Sequence, residues 1–134
     1  MKKLLPLVLA CLLLTGCSRG NPLPDGMEEQ SVITAGIEIV KMAGEGEYEE
    51  IWSRFREDVR ESLTVEQIRD LVEDAAADCG DYIQVEDSMA TGQESDGESY
   101  GVAVIYALYS DGNLLYRVAF DPSMTLIGLS VSET

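Results

Sequence analysis

Histidine does not occur among the 134 residues, and Lys plus Arg number 9 against 25 Asp plus Glu, a formal charge of −16. The first absence removes the imidazole base of Ser-His-Asp and Cys-His catalysis and the commonest zinc ligand. The scarcity of cations argues against a nucleic-acid partner, because phosphate binding needs clustered Lys and Arg. Long apolar runs are missing too: Leu4 to Leu14, broken only by Pro6, is 11 residues, against about 20 for a spanning helix. What is present is a 46% hydrophobic composition, enough for a folded core in a chain whose length allows one domain.

The N-terminus reads as a targeting segment. Lys2 and Lys3 precede the apolar run, and Leu14-Thr15-Gly16-Cys17 closes it. This order resembles a bacterial lipobox over residues 1–16, with cleavage between Gly16 and Cys17 and a diacylglycerol thioether on Cys17. The expectation is an extracytoplasmic protein on a bacterial cell membrane, anchored by its N-terminal lipid without crossing the bilayer. The mature chain would have 118 residues and a charge of −18. Cys11 leaves with the signal and Cys17 carries lipid, so Cys79 is the remaining thiol. It is expected buried and inert on an apolar helix face. Residues 17–26, with two prolines and two glycines, read as lipidated Cys and flexible linker, and 27–134 as a single domain.

Within that domain the apolar period is first 3.6 and then 2. Asp25-Gly26-Met27-Glu28 has capping-box spacing before a helix whose face carries Val32, Ile33, Gly36, Ile37, Ile39, Val40 and Ala43. Ser31, Thr34, Glu38 and Lys41 form its polar stripe, and Gly44 and Gly46 end it. A second helix is expected from Glu47 to about Val59 on Tyr48, Ile51, Trp52, Phe55 and Val59. Thr64-Val65-Glu66-Gln67 is another capping box, opening a third helix that Gly80 closes. Strands are expected over Tyr82–Asp87 (Ile83 and Val85 on one side), Tyr100–Tyr109, Leu114–Phe120 and Thr125–Val131. Thr91–Gly97 and Ser110–Asn113 are read as turns. YGVAVIYALY is apolar on both faces, as a central strand would be. The fold class is α+β: three N-terminal helices packed on a curved four-stranded antiparallel sheet.

Gly46-x-Tyr48…Phe55, Leu63-Thr64-x-x-Gln67, Gly80-x-Tyr82 and Phe120-Asp121…Leu126-Ile127-Gly128-Leu129 resemble the bacterial domain of unknown function 3887. The resemblance covers about residues 30–132. That family is similar to the nuclear transport factor 2-like (cystatin-like) superfamily, which implies a cone: a sheet curved around helices, with a cavity at the wide end. It implies no catalytic residues.

Several side-chain groupings remain to be weighed. Trp52, Tyr82, Tyr106 and Tyr116 are the candidate cavity or ligand residues. Glu47, Glu49, Glu50, Glu57 and Asp58 supply carboxylate pairs, read as a solvated acidic face because a sugar cleft needs a desolvated acid. Glu94, Asp96 and Glu98 alternate around a turn, either as a weak Ca²⁺ ligand set or as a plain polar hairpin. Lys41 is expected solvated, and Arg117 to face out from a sheet edge. No cofactor or metal is expected, and no catalytic residue is assigned. The leading expectation is a lipid-anchored envelope accessory protein binding a small apolar ligand or an envelope protein. The alternatives are a small isomerase- or dehydratase-like enzyme using a cavity carboxylate and Tyr, or a structural or inhibitory docking module.

Overall fold

The computed structural model describes residues 21–134. The expected signal segment, the Gly16–Cys17 cleavage junction and the expected lipidation position Cys17 lie outside the described residues. Four helical segments, α1 (Glu29–Gly44), α2 (Tyr48–Arg54), α3 (Glu57–Arg60) and α4 (Val65–Ala76), precede four strands. The strands are β1 (Tyr82–Ser95), β2 (Glu98–Tyr109), β3 (Gly112–Phe120) and β4 (Leu126–Glu133). They form one antiparallel meander in the order β1-β2-β3-β4, the α+β layout expected. Among the described residues no helix is long and apolar enough to cross a membrane.

α1 lies across β1, β2 and β3, while α4 packs on β4 and on α2. The core is built where the two periods meet. Val32, Ile39 and Val40 of α1 and Ile68 and Val72 of α4 face Ala103, Ile105, Ala107, Leu114, Tyr116 and Val118 of the sheet. Gly36 marks the closest approach: a Cβ there would stand 2.4 Å from the Ala103 Cβ. Absence of a side chain is what lets α1 settle onto β2.

Four details depart from the sequence reading. Asp25 does not cap α1. The Met27 N–H donates to the Pro24 carbonyl, which closes a turn and draws Met27 into the core, so the N-cap position falls to Glu28 without a side-chain bond. The second helix is split. Phe55 is buried and extended, bridges to Leu126 in parallel, and the following Arg56 N–H donates to the Leu126 carbonyl at 2.8 Å. Burying the Phe55 ring and pairing its backbone with β4 outweighs continuing the helix. β1 runs to Ser95, well beyond the expected Asp87. Its polar residues pair with β2 through their backbones while their side chains face water, and irregularities at Tyr82/Gln84 and Val85/Asp87 break the period-2 signal. Those irregularities also part Ile83, which is exposed, from Val85, which packs on the core.

The fourth concerns the linker. From Asn21 onward it is held on the sheet: the Asn21 carbonyl accepts from Gly92 N–H at 2.9 Å, Asn21 N–H donates to Thr91 Oγ1, and Leu23 packs on the core. Gly92 makes room for this strap, since a Cβ there would lie 1.9 Å from the Pro22 oxygen.

Candidate functional site

α2 and the loop into α4 frame a concavity of about 710 Å³. Trp52, Leu63 and Val65 supply its apolar wall, with Glu49, Arg60 and Glu61 beside them. Trp52 is half-buried and fixed at both ends. Its Nε1–H donates to the Leu63 carbonyl at 2.7 Å, and the Arg60 guanidinium carbon stands 5.6 Å from the ring centroid, within cation–π range. Arg60 is itself steered by the Phe55 carbonyl, which accepts from its Nη1. The far wall is stiffened by the Thr64/Gln67 capping box, formed as expected: Gln67 N–H donates to Thr64 Oγ1 at 3.1 Å and Thr64 N–H to Gln67 Oε1 at 2.9 Å. The split of the second helix creates this site, because the chain must turn at Phe55 for α3 to carry Arg60 back over Trp52.

The other candidate residues are not gathered there. Tyr116 is fully buried beneath the helices, and its hydroxyl lies 2.6 Å from that of Tyr109. Tyr82 is half-buried and meets the Tyr109 ring edge-on at a centroid distance of 5.6 Å. Tyr106 sits on the opposite face of the sheet, 38% exposed. Thus Tyr82 and Tyr116 belong to one tyrosine cluster through Tyr109, whereas Trp52 and Tyr106 each stand elsewhere. Burial, and then the Tyr109 hydroxyl, pushes the Tyr116 phenol far above its ordinary range; burial does the same more mildly to Tyr109 and Tyr82. Tyr48 is also raised, by burial and by Glu73, whose carboxylate accepts its hydroxyl at 3.3 Å. Among the described residues no carboxylate is bonded to the Tyr109–Tyr116 pair.

The buried carboxylate among the described residues is Asp121. It accepts from Ser123 N–H and Thr125 N–H, both at 3.0 Å, and from Arg56 Nη1 at 3.1 Å. Its oxygens are spent on a turn, which does not suit a general base. Arg56 also binds Asp58 at 2.8 Å and Glu98 at 2.9 Å. These bonds raise the Arg56 pKa further and hold the Asp58 carboxyl below its ordinary value. Glu98 is therefore tied to Arg56, and Asp96 sits in the tight β1–β2 turn at φ 52°. Among the described residues no group of three acidic, Cys or His side chains is arranged to hold a metal. Cys79 is buried, with Sγ 3.6 Å from Glu133 Oε2. Burial and that carboxylate push its thiol pKa up, away from nucleophilic chemistry.

Sequence patterning found Trp52 as an apolar position but not its partners. Arg60 looked like one more surface charge, and only the break at Phe55 brings it over the ring.

Helices closing one face of a four-stranded antiparallel meander, with a Trp-lined groove beside it, define a small α+β module. The chain belongs to the family described as protein of unknown function (DUF3887), whose model matches residues 37–129. It is also similar to a protein from Ruminococcus gnavus ATCC 29149 solved by NMR. The two are 28% identical with a TM-score of 0.69, over 82% of this chain and 96% of that one. No curated protein matches it.

Proposed function

We propose that this is a lipid-anchored accessory protein of the bacterial envelope, of the nuclear transport factor 2-like (cystatin-like) type, that binds an apolar ligand or peptide segment in the Trp52 groove without transforming it. The observation that carries the reading is the groove itself: an apolar wall held rigid at Trp52 and Thr64, open to solvent, and apart from any desolvated acid. Preformed concave sites of about 300–1,000 Å³ lined by aromatic and aliphatic groups with a few polar ones are the usual form of small-ligand sites. The anchor rests on the order of charge, apolar run, small residues and Cys17 at the N-terminus. The strap adds a geometric consequence. Asn21 is held on the sheet, so three residues lie between it and the lipidated Cys, a reach of about 14 Å over four extended steps. The domain would therefore ride close against the bilayer.

Trp52 is the chain's single tryptophan, so its fluorescence reports on the groove alone. Titration with short-chain lipids and peptidoglycan fragments is expected to shift that emission and to raise the melting temperature, as binding to the native state must. No response to these or to envelope extracts would refute the binding role. Replacing Cys17 with Ser should move the protein from the membrane to the soluble fraction; persistence with membranes would refute the anchor. The isomerase-like reading has less support, because it needs a cavity carboxylate facing a tyrosine and Asp121 is committed to its turn.

A further inference from the structure

The sheet has two faces, and the helices cover one. On the other, the register sets Met89, Val104 and Arg117 in one row and Asp87, Tyr106 and Leu115 in the next. The large apolar side chains left exposed among the described residues are Ile83, Met89 and Tyr106, and all three belong to β1 and β2. Val102 and Val104 are buried yet stand apart from the main core cluster. The outer face thus carries a small apolar layer of its own, and among the described residues no helix packs over Met89, Val104 and Tyr106.

Charge decides what can cover that layer. Residues 21–134 hold 25 acids and six cations, so two copies approaching at random meet as like charges. The two rows carry one charge of each sign, Asp87 and Arg117. Arg117 makes no ion pair among the described residues, and Asp87 accepts only the neighbouring Ser88 N–H at 2.8 Å. A two-fold axis lying in the plane of the face, perpendicular to the line joining Asp87 and Arg117, carries each residue over the other's counterpart. A single operation then makes two reciprocal ion pairs and leaves Val104 and Tyr106, which lie between them, at the centre. This is the self-complementarity that an isologous contact requires.

We infer that the outer sheet face is the contact between two copies of this chain. Four strands at about 4.8 Å spacing and about 25 Å of length offer ~500 Å² per copy. Two copies bury ~1,000 Å², the low end for a specific interface, so the dimer is weak and reversible. The full exported chain carrying Cys17→Ser, examined by sedimentation equilibrium, should dimerise in the high-micromolar range. Asp87→Arg or Arg117→Asp alone should each weaken dimerisation about tenfold or more. The double reversal should restore it, which also shows that the single variants fail by charge and not by misfolding. Tyr106→Glu should leave a monomer with an unchanged circular-dichroism melt. A monomer up to about 1 mM, above the range expected for a contact of this size, would overturn the inference. So would a dimer indifferent to both single reversals, or a double reversal that stays monomeric.

Discussion

The tyrosines carry the clearest consequences at the scale of single residues. Tyr109 and Tyr116 share one hydrogen bond beneath the helices, so removing one hydroxyl strands the other in apolar surroundings. Tyr116→Phe is expected to cost about 1–3 kcal/mol, whereas the double replacement of Tyr109 and Tyr116 by Phe should cost less than the sum of the two single changes. Urea denaturation of the three variants measures this. The raised phenols also set a pH dependence. Below pH ~10 both the folded and unfolded chains keep these protons; above it the unfolded chain ionises first, so stability falls as pH rises. Absorbance titration near 295 nm should show Tyr48, Tyr82, Tyr109 and Tyr116 ionising late, together with alkaline unfolding. At the other end of the scale, the lowered Asp58 carboxyl contributes stability above its unfolded pKa and loses it as pH falls through the folded value. Residue by residue, the sequence marked Tyr82 and Tyr116 as candidate cavity residues. It could not say that one hydroxyl would find Tyr109, since that pairing joins the end of β2 to the middle of β3.

Among the elements, Gly36 and Thr64 make opposite tests of local preference. Helix propensity alone favours Ala over Gly by about 1 kcal/mol. Gly36→Ala nonetheless places a Cβ 2.4 Å from that of Ala103, and Ala103 belongs to a central strand that cannot yield. Overpacking of this kind costs about 1–3 kcal/mol, so the substitution should destabilise the protein despite its propensity. Thr64→Ala removes one arm of the capping box and should cost about 1 kcal/mol. Thermal melts followed at 222 nm read both. The capping box was legible because its four residues are contiguous. The division of the second helix was not, because Phe55 and Arg56 leave helical geometry to meet Leu126, which is 71 residues downstream of Phe55. β1 was underestimated for a related reason: an edge strand satisfies its backbone through its neighbour and can remain polar on the outside.

For the whole molecule, net charge and tethering are the governing terms. A charge of −16 makes the folded state repel itself, so the melting temperature should rise between low salt and about 0.15 M, where screening falls to ~8 Å. A flat response in differential scanning calorimetry would show that the acids are spaced too widely to matter. The same repulsion confines self-association to the charge-balanced outer sheet face. With the anchor proposed at Cys17, the strap from Asn21 would hold the domain close to the membrane.

Composition and periodicity alone determined the order of helices and strands, the central position of β2 and the absence of an imidazole. These depend on residue type and on neighbours three or four positions away. Tertiary structure alone decided that Trp52 and Arg60 meet, that Tyr106 and Tyr116 lie on opposite faces of the sheet, and that residues before Met27 run along β1. Each of those facts depends on which distant backbone a residue pairs with, and a pattern read along one chain carries no record of that pairing until the strands are in register.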